Sequence, residues 1–394
     1  MSSNQSVLEK LPSEIADFIS SVTEKARNNR IVKEFNTRFG NTRKVVVDLR
    51  DDKTCESVAI LNNSSAEQYM CFWPNGNIKS NSFFDEDTQL IKLNNYNEVG
   101  QKHGNCFSKY DNGKDRKFVT YKNGKLDGLC NWYYENGMRE ISTEYKDGEL
   151  DGKYYEYHEN GELSMFTQNK NGAEYGTRFE YREDGTLSLT AEYEDNLEHG
   201  EEIEYYEDGT TIKINVNYVK GKLEGTTYTF YENGNVKTVE DMHDDKFHGE
   251  CFEYDENGNC VTYEKYDNDQ LLSYTKYSRD ENGKLYVSSK CRNNRETMYY
   301  PNKSIEETGT MLNGERNGWT EYYDINGTLT GEDLFENGEV VLSKSYDKNN
   351  SVDRLIKTKN DVVTYDLRRD DIDEIFNECV GLRETHGSKR RKSE

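Results

Sequence analysis

Short runs of alternating apolar and polar residues, broken by Asn-Gly or Asp-Gly pairs, fill most of this 394-residue chain. Alternation with period two marks a half-buried strand, and a glycine-bearing pair between two such runs marks a hairpin turn. The stretch Gly128–Asp151 shows the unit: GLCNWYYE, then NG, then MREISTEYK, then DGELD. Its sequence predicts a strand, a type I′ turn at Asn136-Gly137 with positive φ at both residues, and a return strand. The segment Gly148–Gly152 then leads into the next hairpin.

The unit recurs about every 24 residues. One marker is the glycine at Gly104, Gly128, Gly152, Gly176, Gly200, Gly225 and Gly249. A second glycine follows nine residues later, from Gly113 through Gly137, Gly161, Gly185, Gly209 and Gly234 to Gly258. Both series slip by one residue at the same place, so they belong to one unit. Self-similarity at this period predicts an array of stacked supersecondary units rather than several globular domains.

Columns follow from the register. Three and five residues after the marker stand Tyr155 and Tyr157, Phe179 and Tyr181, Ile203 and Tyr205, Tyr228 and Phe230, Phe252 and Tyr254. They predict an aromatic stripe along one face, expected to be the core together with Leu163, Leu187 and Val236 and with Leu126, Leu150, Leu223 and Phe247. Glu156, Glu180, Glu204 and Glu253 stand between the aromatics and so point to the other face, expected to be solvated or to hold a partner. Glu135, Glu159, Glu183, Glu207, Glu232 and Glu256 precede the turns. Equivalent carboxylates recur every two strands, about 10 Å apart, close to one Debye length.

The ends differ. Leu8, Leu11, Ile15, Phe18, Ile19 and Val22 fall at helical spacing, so residues 1–43 are read as a helical cap. Residues 44–69 hold a strand pair, KVVVDL and ESVAIL, leading into repeats over 70–340. Residues 341–385 read as strands followed by a capping helix in DDIDEIFNECVGLRE, and 386–394 as a disordered basic tail. The expected fold is thus mainly β, an elongated, twisted, single-layer antiparallel meander of stacked hairpins with short helical caps. About ten hairpins would give a ribbon of about 100 Å.

Composition narrows the function. Net charge is -24, with +3 in the first 50 residues and the balance of -27 beyond them. Such a body repels phosphate backbones and anionic lipid heads, which argues against nucleic-acid or membrane binding by the repeat face. No apolar run is long enough for a transmembrane helix, and the polar start MSSNQSVLEK lacks the features of a signal peptide. Eight cysteines include no C-x-x-C pair, and Cys106, Cys130 and Cys251 share one repeat position. A reducing, intracellular setting is expected.

The run Tyr121–Gly128 (YKNGKLDG) followed by Asn131–Gly137 (NWYYENG) resembles the MORN repeat. It is most similar to the variant found in antitoxin-like bacterial proteins and in large DNA viruses. The resemblance covers about residues 70–340 and implies hairpin units in one extended sheet. It implies no single function, because the family includes scaffolds, tethers and lipid- or protein-binding modules. Asp245 and Asp269 replace turn glycines and Ser273 stands where a marker glycine is due, so the local turns there depart from the pattern. Near the start, Leu11, Pro12 and Ile15 with Ile31–Phe35 are similar to the F-box pattern, which docks substrate receptors onto a ubiquitin ligase adaptor.

Catalytic and cofactor chemistry finds no matching motif. His103, His199 and His248 precede marker glycines, and the D-x-N-G stretches place glycine at position four, where a calcium loop of the EF-hand type needs it at six. No phosphate-binding loop or nucleophile elbow occurs, so no metal or cofactor is expected. The expected function is a non-enzymatic scaffold that offers an acidic, tyrosine-rich face to a basic protein. Alternatives are an adaptor of a ubiquitin ligase, an antitoxin masking a toxin, and a structural protein of a viral particle. Lys389–Lys392 adds the alternative of nuclear import.

Overall fold

The computed structural model describes residues 29–36, 42–52, 54–63, 65–349, 351–359 and 362–368, together with Asp17, Phe18 and Ser21. The chain divides into two compact units, Met1–Thr211 with Tyr218–Gly221, and Ile212–Asn217 with Lys222–Glu394. Each is an open antiparallel meander in which successive strands pair with their neighbours in sequence.

The first unit opens with strands Arg30–Asn36, Thr42–Leu49, Cys55–Asn62 and Ser65–Phe72. Strict alternation in Lys44–Leu49 buries Val45, Val47 and Leu49, and register sets Val47 opposite Val58 and Val58 opposite Met70. With Ile60, Phe72 and Ile78 they make an aliphatic core, against which Phe18, Ile31 and Phe35 pack. The helical cap expected over 1–43 therefore stops short of Arg30. Ile31 and Phe35 face the core while Val32 and Glu34 are exposed, a period of two that suits a strand. Among the described residues Asp17, Phe18 and Ser21 alone show helical backbone. The remainder of that helix, the helix expected near 370–384 and the tail 386–394 lie outside the described residues. The two strands expected beyond the repeats form as Val352–Lys359 and Val362–Arg368 in the second unit.

Within the repeats, Lys125–Tyr133 pairs with Arg139–Lys146, which pairs with Glu149–Tyr157. The two turns differ, and one expectation is reversed. At Asn136-Gly137 the positive φ falls on Gly137 alone, at +88°. Gly137 N–H donates to the Tyr134 carbonyl (2.9 Å), Tyr134 N–H to the Met138 carbonyl (2.8 Å), and the register shifts between Arg139 and Ile141. This is a type I turn closed by a glycine bulge. Type I′ geometry occurs instead at Asp147-Gly148, with φ of +50° and +94° and Lys146 directly opposite Glu149.

The second kind of turn explains how Asp245 and Asp269 replace glycine. Gly148 N–H donates to the Leu126 carbonyl of the preceding repeat (2.8 Å). Asp245 N–H does the same to Leu223 (3.2 Å), and its carboxylate then accepts from Leu223 N–H (2.8 Å). Asp269 and Phe247 repeat the reciprocal pair at 3.0 and 3.0 Å. The added bond offsets the cost of positive φ, +66° and +67°, in residues that bear a Cβ.

The most deeply buried face is not the aromatic stripe. Register places Cys106, Val119, Cys130 and Thr143 in one row, all buried. Tyr121, Leu126, Trp132 and Tyr145 pack around its cysteines, and Trp132 meets Tyr145 edge to face at 6.4 Å. The stripe lies on the opposite face. Its rings do touch, Tyr155 to Phe166 at 5.0 Å and Phe252 to Tyr263 at 5.0 Å, but they stay half-buried and Tyr228 is exposed. In a single layer a small side chain can be roofed by its neighbours, whereas a large ring has nothing above it. Leu126 packs on the row of Cys106 and Cys130, in the core as expected but on the face opposite the stripe.

Candidate interaction surface

The turn edge of the array is stitched from repeat to repeat. In several of the type I turns an asparagine oxygen accepts from the backbone two residues on, as Asn136 does from Met138 N–H (2.8 Å). That contact frees the amide to donate across to the next turn. Asn112 donates to the Glu135 carbonyl (2.7 Å), Asn136 to Glu159 (2.6 Å), Asn160 to Glu183 (2.6 Å) and Asn233 to Glu256 (3.0 Å). The residue at the turn's start adds a second stitch. Tyr110, Tyr134 and Tyr231 hydroxyls donate to the Tyr133, Tyr157 and Tyr254 carbonyls at 2.7, 2.7 and 2.8 Å. At two positions where tyrosine is replaced the donor persists: His158 Nε2 reaches the Tyr181 carbonyl (2.9 Å) and Arg182 the Tyr205 carbonyl (2.7 Å). The backbones of Glu135, Glu159, Glu183 and Glu256 are thereby held, and their side chains are exposed. Sequence reasoning missed these stitches. Their signal was the recurrence of a side-chain donor 23 residues before a carbonyl that any residue supplies.

Glu156, Glu180 and Glu204 do point away from the aromatic stripe, but onto the buried face. Glu156 stands between Ile141 and Met165, Glu180 between Met165 and Leu189, and Glu204 beside Leu189. All three are half-buried, while Glu253, between Thr238 and Thr262, is exposed. The Tyr154 hydroxyl donates to Glu156 (3.3 Å), and burial, with the Glu156 charge next, pushes its pKa up to about 12. Leu11, Pro12 and Ile15 lie outside the described residues, and Ile31–Phe35 of the same motif form the strand that pairs with Thr42–Leu49.

Ions also enter this face. Glu174 takes the column of Leu126 and Arg178 that of Cys130, and the two pair in two hydrogen bonds, one of them from Nε (2.8 Å). The Thr167 hydroxyl donates to Glu174 (2.6 Å), and the Arg178 guanidinium lies 4.4 Å from the Tyr193 ring centre. Two exchanges thus compensate each other, as buried charges require. Arg316 makes a similar cluster with Glu307, Glu296 (3.8 Å) and the Phe335 ring, and Lys344 with Glu332 (2.9 Å) and the Trp319 ring (4.1 Å). Glu202 is raised above the ordinary carboxylate range by burial and by the charges of Glu198, Glu180 and Glu204. Glu240 is raised by burial and by Glu264. In the turns the direction reverses. Backbone N–H donation from Asn259, with Arg279 beside it, holds Asp255 at about 2. Among the described residues no three His, Cys, Asp or Glu side chains converge to hold a metal ion, and no helix is long and apolar enough to cross a membrane.

Comparison with known proteins bears on the repeats. No curated protein matches the chain. Two crystal structures, of TcdB2-TccC3-Cdc42 and of TcdB2-TccC3, align at 11% and 10% identity with a TM-score of 0.16. They cover 84% and 86% of this chain but 21% of theirs, so it spans about a fifth of those chains. A porin-like protein from Bacteroides uniformis aligns at 9% identity over 66% of this chain and 95% of its own, with a TM-score of 0.15. The profile of the MORN repeat variant matches residues 126–147, 150–165, 198–219 and 223–241. Between these segments the strands Ala173–Tyr181 and Leu187–Glu194 keep the same pairing. In those four segments, and with the hairpin geometry around them, this chain carries MORN repeats of the variant type.

Proposed function

We propose that the protein is a non-enzymatic, intracellular scaffold whose acidic repeats hold a basic protein partner. MORN repeats indicate an interaction role, with proteins or membranes, and belong to a repeat family rather than an enzyme family. The observation that carries the choice of partner is the rank of pre-turn glutamates Glu135, Glu159 and Glu183 in the first unit, with Glu256 in the second, whose backbones the asparagine stitches hold. Carboxylates about 10 Å apart on a chain of net charge -24 attract an extended basic surface and repel anionic lipid or nucleic acid. Glu253 and the half-buried Glu156, Glu180 and Glu204 add to the same field. Half-exposed tyrosines supply contact area at low entropic cost. Cys106, Cys130 and Cys251 sit in one buried column as thiols, which suits a reducing compartment.

The test is capture of partners on the full chain across a salt series. The proposal expects basic proteins to be captured and then released between about 0.1 and 0.5 M salt, as the Debye length falls to a few ångströms. Partners that are acidic, or that are retained regardless of salt, contradict it.

A further inference from the structure

The second unit contains a place on the buried face where a thiol, Cys251, stands in the column that Arg178 takes in the first unit. Around Gly249, direct cross-strand register sets Glu240 opposite Cys251 and Cys251 opposite Glu264. The two carboxylates stand two strands apart, about 10 Å between their backbones, on either side of a small thiol. Phe247 and Tyr266 flank the same position with ring centres 5.2 Å apart, and the Tyr266 hydroxyl donates to Glu264 (2.8 Å). A groove opens here, lined by Thr238, Glu240, Cys251, Glu253, Thr262 and Glu264. Lys276 also lines it, with its ammonium 5.2 Å from the Tyr274 ring centre.

The chain itself shows what fits such a setting. In the first unit the column of Cys251 is occupied by Arg178, which lies on the Tyr193 ring and is held by Glu174. Arg316 and Lys344 rest on Phe335 and Trp319 with carboxylates beside them. Each cluster joins one ring to one or two acids around one cation. At Cys251 the acids and the rings are present, and the side chain between them is a thiol. We propose that this groove takes an arginine side chain from an extended basic segment of a partner protein. Its guanidinium lies over Cys251, bridges Glu240 and Glu264, and stacks against the Phe247–Tyr266 pair. Arginine suits the site better than lysine because its planar fork donates to two carboxylates at once while its face packs on a ring. The inference rests on the basic-partner reading above and narrows it to one repeat.

The test uses a fluorescent hexa-arginine peptide and the full chain, with binding read by anisotropy at about 50 mM and about 300 mM salt. Glu240→Gln with Glu264→Gln is compared with Glu232→Gln with Glu256→Gln, which removes the same charge from the exposed turn edge. The inference expects the first pair to weaken binding at least about tenfold and the second about threefold or less. Hexa-lysine should bind more weakly than hexa-arginine to the wild type and equally to the first variant. Equal losses in both pairs overturn the groove while leaving the basic-partner reading intact. No binding to the wild type overturns both. The chain's own Lys389–Lys392 is the other basic segment to consider. If Arg390→Gln with Arg391→Gln tightens peptide binding about tenfold, the groove already holds that tail and the external partner is wrong.

Discussion

The row that runs through the buried face reads differently in the two units although the backbone beneath it is the same. In the first it passes through Cys106, Val119, Cys130, Thr143 and Tyr154. In the second it passes through Thr227, Glu240, Cys251, Glu264 and Tyr274. Both stretches keep the type I turn with its bulge, the type I′ turn and the asparagine and tyrosine stitches. What holds a repeat to its neighbour is therefore mostly backbone conformation and edge hydrogen bonding, with the row free to exchange valine for glutamate. That freedom allows one architecture to carry an apolar stretch and an acidic one.

The sharpest way to break this comparison is at the backbone that both units share. Gly249 has φ of +127°, and a Cβ there would lie 2.7 Å from the Cβ of Asp241. At Gly128 φ is +107° but the nearest atom, Thr120 Cβ, is 3.6 Å away. Gly249→Ala should cost about 3 kcal/mol and Gly128→Ala about 1 to 2 kcal/mol, measured by denaturant unfolding. Equal and negligible losses would remove the backbone from the account.

Stitches come next. Asn136→Ala in the first unit and Asn233→Ala in the second each remove one cross-repeat donor, and each should lose about 1 kcal/mol. A large loss in one unit only would show that the stitches are not interchangeable.

The smallest effect separates the units by charge. Glu240 has its folded pKa raised, so the ionised form is disfavoured in the folded state at neutral pH. Glu240→Gln should raise the melting temperature at pH 7. The gain should fade as pH falls through the folded pKa and vanish below about 4.5, where both states carry the proton. Asp255 moves the opposite way. Held at about 2, it contributes stability above its ordinary value, and that contribution is lost as the solution approaches pH 2.

Much of this architecture was legible in the residues. Gly104 through Gly249 gave the period, and the alternation in Lys44–Leu49 gave the N-terminal core strand. Two things were not legible, for physical reasons. Asn-Gly fits both kinds of turn, and the sequence around Asn136 does not show which residues pair across it. The deciding contact is the asparagine oxygen on Met138 N–H, a local bond that composition does not reveal. The buried face was not legible because ring size does not report depth in a single layer. Cys130 and Thr143 are the buried residues because Trp132 and Tyr145 roof them, while Tyr155 and Phe252 pack only with their neighbours along the sheet. Glu156, Glu180 and Glu204 turn away from the aromatics onto the buried face, whereas Glu253 stays exposed. The Glu174–Arg178 exchange was invisible because each residue alone looks like a surface charge.

The most direct measurement is thiol labelling of the native chain, read residue by residue by mass spectrometry. Cys106 and Cys130 should label at least about a thousandfold more slowly than a cysteine introduced by Tyr228→Cys on the aromatic face, in line with opening only by local unfolding. If Cys106 and Cys130 label as fast as that introduced cysteine, the buried face has been assigned to the wrong side of the sheet and the account fails.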